Sequence, residues 1–363
     1  MRVIDEGIVF AGAADSRTAS CCFPSFARVG RRWVATWRVG SSKDSADGTI
    51  YFSHSDDDGA SWSSPEQPWS SAREELRFAP IAAIDGELWT AIMHVDRSAG
   101  TRPLFNPATE GILPVRTALS RSTDGGVSWS TPLDLGEGPR KCPSPLTGPA
   151  MRLAGGVLAM PFETNKPYDD PSPWVHAAAF RLSRDGGRTW NESRTVMTDP
   201  TGRRMFWDQH HSRNAAGQHV AAFWVYDRNA NQDATIHLAS ADASGLEWSQ
   251  PWDTGIRGQV AHPILFDDGR LMLVYVDRYG DRGIFARLSK DGGKTFDPDV
   301  LCVYRHPKPA ERLVDSTGQY LDDMSQWTFG RIEGAVDGDG RAMLLYYAGN
   351  SSSTRIVWAR VEI

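Results

Sequence analysis

Acidic and basic side chains recur in this sequence at the ends of short apolar runs. Asp208 and His210 are separated by one residue, as are Arg331 and Glu333. On a strand that step turns both side chains of a pair to one face. Arg38, His94, Glu163 and Asp277 each end an apolar run, Arg77 and His262 lie just ahead of one, and Asp44 sits in the loop Ser42-Lys43-Asp44-Ser45-Ala46-Asp47-Gly48. Two carboxylates facing each other across a site are what cleavage of a glycosidic bond requires, one protonating the leaving oxygen and the other acting as base or nucleophile. Asp44 is the candidate general acid, with Asp47 its rival in the same loop, and Asp208 or Glu163 is the candidate nucleophile or base. The guanidinium forks of Arg38, Arg77 and Arg331 match a substrate carboxylate. Alternatively, His94, His210 or His262 with Tyr226 would serve as the base of an elimination beside a carboxylate. Asp277 and Glu333 complete the polar set, and Trp207 or Trp327 would supply a stacking platform for a sugar ring.

These residues converge only if the elements that carry them do. Six tight turns punctuate the chain between pairs of apolar, strand-like segments: Val29-Gly30-Arg31, Asp85-Gly86, Ala154-Gly155-Gly156, Asn214-Ala215-Ala216-Gly217, Asp268-Gly269 and Asp339-Gly340. Residues about eight positions on either side of each turn glycine lie at the same end of a hairpin, and the polar residues named above fall at those positions. The plainer alternative is that strand ends simply carry polar residues and that the arginines are spent on neighbouring carboxylates.

Downstream of the hairpins runs a second repeat: Ser55-x-Asp57-x-Gly59-x-Ser61-Trp62, Ser122-x-Asp124-x-Gly126-x-Ser128-Trp129, Ser183-x-Asp185-x-Gly187-x-Thr189-Trp190 and Ser289-x-Asp291-x-Gly293-x-Thr295-Phe296. A stretched fifth copy runs from Ser240 to Trp248. The Asp side chain can accept hydrogen bonds from the turn backbone while the glycine takes a left-handed conformation, so the box is a folding device. Repeats spaced by roughly 50 to 70 residues have the size of a four-stranded blade. The expectation is one all-β domain over residues 1–363, a six-bladed β-propeller whose ring is closed by residues 2–10 pairing in the last blade. Three long connections, residues 96–115, 165–173 and 305–326, should rise from the funnel face and narrow it.

Composition narrows the partners. The 363 residues carry a formal net charge of -6 with a pI near 5.9, which leaves no basic footprint for nucleic acid or an anionic membrane. Carbohydrate is the expected partner, and the acidic, closed ring is compatible with a monomer. Fourteen tryptophans exceed what a core of this size needs; most should be repeat core and a minority sugar platforms. The four cysteines, Cys21, Cys22, Cys142 and Cys302, lack metal-ligand spacing, so neither a zinc site, another cofactor nor a disulfide framework is expected. Met1–Glu6 does not read as a signal region and no apolar run approaches about 18 residues. A soluble chain is expected, cytoplasmic unless a leader was removed.

With its boxes and hairpins, the chain resembles the sialidase superfamily, over nearly its whole length. The resemblance implies the six-bladed propeller, with boxes on the outer rim away from the active site. A sialidase would also need three arginines, a Tyr nucleophile backed by Glu, and an Asp acid/base. Here Cys22 stands at the first arginine, Trp224 at the second, and Arg331 near the Tyr position; Asp208 keeps an acid at the Glu position, and Asp44 matches the acid/base. The resemblance therefore implies a glycosidase-like enzyme releasing terminal sugars, acidic ones among the candidates, rather than a conventional sialidase. The same scaffold carries exo-arabinanases, which rest on two acidic residues, uronate lyases, and non-catalytic glycan-binding propellers.

Overall fold

The computed structural model describes residues 1–100, 102–307 and 320–363, and these form six antiparallel sheets. Blade 1 holds Ser20–Val29, Arg32–Gly40 and Thr49–Ser55, with a fourth strand reduced to a bridge between Phe52 and Glu66. In blade 2 the segments Glu74–Phe78 and Ile81–Ile84 share the innermost position, followed by Glu87–Asp96, Val115–Ser122 and Leu133–Asp134. Blade 3 runs Met151–Arg152, Leu158–Glu163, Ala177–Ser183 and Glu192–Thr198. Blade 4 runs Arg204–Arg213, His219–Asp227, Thr235–Ala241 and Trp252–Arg257. Blade 5 consists of Ala261–Leu265, Leu271–Asp277, Gly283–Ser289 and Leu301–Arg305. Blade 6 takes Gly330–Val336, Ala342–Gly349 and Thr354–Glu362 from the end of the chain and Arg2–Ala11 from its beginning. The six-bladed propeller and its closing strand are as the repeats imply. Helix is confined, among the described residues, to a 3-10 turn at Ala154–Gly156 and the short α-helix Tyr320–Gln326. None is long and apolar enough to cross a membrane.

The second strand of each blade is apolar along its length because neighbouring blades cover both of its faces. His219–Asp227 and Leu158–Glu163 are buried at every residue. The core therefore lies between blades: Val220, Ala222 and Leu238 of blade 4 pack with Ala261, Leu273 and Phe285 of blade 5, and Trp33 and Trp37 of blade 1 with Met343 and Trp358 of blade 6. Every hairpin glycine that set the register, from Gly30 to Gly340, has a positive φ.

The boxes work as clasps between blades. In the first, Ser55 Oγ donates to Asp57 Oδ1 and accepts from Gly59 N, both at 2.8 Å, while Asp57 receives Ser61 N and Ser61 Oγ. These hydroxyl and amide donors pull the Asp57 carboxyl down to about 2. The clasp holds the glycine at φ +94 against the preceding blade. Gly126 meets Phe52 of blade 1, Gly187 meets Trp89 of blade 2 and Gly293 meets Leu238 of blade 4, with no room for a Cβ at any of them. The stretched fifth copy does the same, with Gly245 on Leu153 of blade 3.

A Cβ at Gly126 would lie 2.5 Å from Phe52 Cζ, whereas one at the hairpin residue Gly86 would meet nothing within 4 Å. Both have positive φ. Gly126→Ala should therefore destabilise by roughly 1–3 kcal/mol more than Gly86→Ala, the overpacking contribution alone, measured by urea unfolding; equal losses would remove the clasp from the stability of the ring.

Candidate functional site

The innermost strands slip register where they approach the axis. Irregularities fall between Cys22 and Ser25, Leu76 and Phe78, Trp207 and His210, and Gly330 and Glu333, in blades 1, 2, 4 and 6. A bulge of this kind re-aims the side chain it contains. Phe23 (φ 53), Asp208 (φ 46) and Arg331 (φ 30) occupy three of the bulges in positive-φ conformations, and Arg77 lies in the fourth. All four side chains line one cavity of about 220 Å³ at the funnel. Positive φ at a non-glycine residue costs of order 1–3 kcal/mol, which marks the bulges as sites where the fold holds an unfavourable backbone to direct a side chain.

Loops complete the enclosure. Pro103, Leu104, Phe105 and Ile112 reach over the cavity from the 96–115 connection, which is tied to residues 165–173 by an Ile112–Pro167 bridge and an Asn106 Nδ2 bond to the Tyr168 carbonyl at 2.9 Å. Leu321, Met324 and Ser325 contribute from the 305–326 connection, of which residues 308–319 lie outside the described residues. All three connections expected to rise from the funnel face reach this end of the molecule; the first and third line the cavity, and the second supports the first.

One buried anion organises the cationic side. Glu75, fully inaccessible, accepts from Arg38 Nε at 2.9 Å, Arg77 Nη1 at 3.0 Å and Arg97 Nη2 at 2.6 Å. Burial alone would push its carboxyl up, yet the Arg77, Arg38 and Arg97 charges together bring it to about 2. Arg38 also donates to the carbonyls of Ser42 and Ser45, which fixes the acidic loop. Asp44 is thereby held where it accepts from Arg77 at 2.7 Å, Arg97 at 3.2 Å and the Leu104 amide at 3.2 Å.

Opposite lies a second carboxylate pair. Glu163 ends the second strand of blade 3, and its Oε1 accepts the Asp208 amide at 2.5 Å while Oε2 lies 3.5 Å from His176 Nε2. The His176 ring stacks on Trp207 with centroids 5.2 Å apart. Burial raises the Glu163 pKa against the opposing pull of His176, and the neighbouring Asp208 adds to the rise. Asp208 itself is the more open of the two, with Arg331 Nη1 3.6 Å from its Oδ1. Between the carboxylates sit two further cations. Lys43 donates to the Met324 carbonyl at 2.6 Å within a box of Phe23, Trp327 and Tyr347, and burial, with the Arg278 charge next, lowers its pKa to about 7. Arg278 stacks over Trp327 at 3.7 Å and donates to Gln259 Oε1 and the Phe329 carbonyl.

Of the residues singled out from sequence, Asp44, Arg77, Glu163, Trp207, Asp208, Trp327 and Arg331 line the cavity. Several others do not. Arg38 is spent on Glu75 and the loop carbonyls. His94 is buried beside Glu74 and Arg116. Asp277 caps its own turn through the amides of Tyr279, Gly280 and Asp281, and Tyr226 bonds Asn231 in a neighbouring recess. His210, His262 and Glu333 point beneath the floor, where burial lowers both histidine pKa values and raises Glu333 to about 7. Asp47 turns away to bind Ser41, leaving Asp44 as the acidic loop residue at the cavity. The bulges of blades 4 and 6 explain His210 and Glu333, because each separates them from Asp208 and Arg331, whereas Arg38, His94 and Asp277 lie on second strands and are taken up by neighbouring partners or a local turn. The uniform count also passed over Arg278, one position after Asp277, and Lys43, one before Asp44; Tyr347 lies on the second strand opposite Gly330. Cys22 is buried beside the bulge of blade 1, and Trp224 packs in the core with Trp327.

A ring of six blades with a charged cavity at one end defines a propeller of the sialidase-superfamily type. The chain belongs to the BNR repeat-like domain family, whose model matches residues 31–308. Its fold is similar to that of a protein of unknown function from Dyadobacter fermentans, at 18% identity and TM-score 0.76 over 100% of this chain and 99% of that one. It is similar also to α-L-arabinanase of Penicillium chrysogenum complexed with arabinobiose, at 13% identity and TM-score 0.68 over 100% and 99%. A third is the intramolecular trans-sialidase of Ruminococcus gnavus in complex with oseltamivir carboxylate, at 11% identity and TM-score 0.67 over 100% and 98%. No curated protein matches the sequence.

Two predictions follow from the electrostatics. Glu75→Gln leaves buried Arg38 without a carboxylate and Arg77 and Arg97 with Asp44 alone, and should cost about 3–5 kcal/mol in denaturant unfolding at neutral pH, the range for breaking a buried pair; a loss below 1 kcal/mol would show that Glu75 is not the anchor. For Lys43, the folded pKa near 7 lies below its ordinary value of 10.5, so between those pH values the unfolded chain holds more protons than the folded one. Stability from this group accordingly rises with pH above 7. The unfolding free energy of Lys43→Met should exceed that of the wild type most at pH 6 to 7 and by progressively less toward pH 10; a constant difference would mean that Lys43 is not shifted.

Proposed function

We propose that the protein is a glycoside hydrolase that releases a terminal, acidic sugar from a glycan. The observation that carries this reading is the convergence of Asp44, Glu163 and Asp208 with Lys43, Arg77, Arg278 and Arg331 on one small cavity walled by Phe23, Leu104, Phe105 and Trp327. Asp208, presented by its bulge, acts as nucleophile or base. Glu163, whose burial favours the protonated carboxyl, is the proton donor. Asp44 already accepts three hydrogen bonds, so it orients substrate with Arg77 rather than supplying the proton assigned to it from sequence. Arg77, Arg278 and Arg331 line the cavity, and guanidinium groups there suit a substrate carboxylate. A cavity of about 220 Å³, overhung by the 96–115 loop, suits one terminal ring better than the interior of a polymer.

A panel of chromogenic glycosides, neutral and uronic, tests this reading. Turnover is expected on an acidic glycoside, and Asp208→Asn should lower it by roughly 10²–10⁴-fold with an unchanged melting temperature. Full activity in that variant would end the assignment of Asp208. If the products absorb in the near ultraviolet as unsaturated uronates, the reaction is an elimination with Lys43 or Tyr347 as the cavity base. Glycan binding without turnover would make the protein a binding propeller.

A further inference from the structure

Beneath the cavity floor, the innermost strands of blades 4, 5 and 6 bring His210, His262 and Glu333 to a common point near the axis. The Nδ1 atoms of His210 and His262 are 3.0 Å apart. Glu333 Oε2 lies 3.6 Å from His262 Nδ1, and its Oε1 lies 4.0 Å from His210 Nδ1. All three side chains are buried, and none lines the cavity above. Either one imidazole donates its Nδ1–H to the other, or both present lone pairs with the carboxylate to a positive species among them.

An ion with bonds of about 2.0–2.2 Å at tetrahedral angles would hold its ligand atoms about 3.3–3.6 Å apart. The ring nitrogens at 3.0 Å are slightly closer than that and the two carboxylate oxygens, at 3.6 Å from His262 and 4.0 Å from His210, are at or slightly beyond it, so small side-chain shifts would close the set around an ion. The surroundings are also those of a built site. The backbone of Ile332 and Gly334 lies against the His262 ring and favours its donating form, the kind of contact that helps fix ring and tautomer in metal-bound histidines. Gly334 packs closely there: a Cβ would lie 2.4 Å from Ile264 Cδ1 and 3.3 Å from the His262 ring. Glu333 is steadied from the other side by Arg331 Nη2 at 3.1 Å.

We propose that His210, His262 and Glu333 form a binding site for one divalent transition-metal ion, with zinc the ion best matched to two imidazoles and a carboxylate. The ligands come from three consecutive blades, so the ion cross-links the ring from inside. It also fixes Glu333 as an anion, and Arg331, which touches Glu333, Asp208 and the Thr147 carbonyl, is positioned through it. The site stands independently of the reaction carried out in the cavity.

The test uses the full chain, stripped with a chelator and then titrated with zinc. About one zinc per chain should remain after desalting, by elemental analysis, with a rise in melting temperature. X-ray absorption of the loaded protein should show two imidazole nitrogens per ion. Glu333→Gln and His262→Gln, checked for folding by circular dichroism, should weaken zinc binding at least tenfold. Absence of retained zinc in the folded wild type would overturn the site in favour of a proton-bridged histidine pair. So would thiolate ligation, or folded variants that keep wild-type affinity. Should the variants not fold, the absorption spectrum of the wild type decides.

Discussion

The molecule depends on the pairing of Arg2–Ala11 with Thr354–Glu362, the two ends of the chain in one sheet. Each blade buries its second strand only because a neighbour covers either face, so a ring with a gap would expose the flanks of two blades as well as two strand edges. Closure is reinforced beyond the ladder: Gly12 N donates to the Thr354 carbonyl and Thr354 N to that of Ala19, joining the chain end to the entry of blade 1. Around the rest of the circle the boxes do equivalent work, each pressing a glycine onto the blade before it. Rim and closure together hold the six innermost strands at fixed distances from the axis, which is the condition for any site there.

Against that rigid frame the functional end is irregular. Bulges in four blades and positive φ at Phe23, Asp208 and Arg331 are tolerated because the surrounding ladders over-determine the backbone. The charge distribution follows the same division. Glu75 neutralises Arg38 and Arg97 and partly Arg77 in a solvent-free layer, so that loop 42–48 can carry Lys43 and Asp44 to the cavity wall. Glu333 has a corresponding position under Arg331 on the opposite side. In both cases a buried carboxylate sets the direction of an arginine that lines the cavity, where it meets a carboxylate, Asp44 beside Arg77 and Asp208 beside Arg331.

Architecture was legible from local chemistry alone. A turn glycine with positive φ, an Asp accepting two amides and an apolar run are decided within a few residues, and each recurs often enough to count blades and to anticipate closure by the N-terminal segment. Asp44, Glu163 and Asp208 were legible as acids near the axis too, since Glu163 ends a strand, Asp44 sits in the loop before one and Asp208 lies nine residues ahead of its turn glycine. Arg38, His94 and Asp277 carried the same signal and serve the scaffold. A charged residue at a strand end looks alike whether its partner is a substrate or another side chain, and the partners here, Glu75, Glu74 with Arg116, and a local turn, were assigned by contacts across the fold.

What the sequence by itself determined, then, is the blade, its repetition and the pool of residues near the axis, because hydrogen-bonding and hydrophobic periodicity act at short range. Tertiary structure alone decided which of that pool faces the cavity. Register slips in the innermost strands depend on how adjacent blades pack, and the slip in blade 4 directs Asp208 to the cavity while His210 meets His262 and Glu333 instead. Burial, which shifts Lys43 and Glu163 and gathers the three ligand atoms beneath the floor, exists only once the ring is complete.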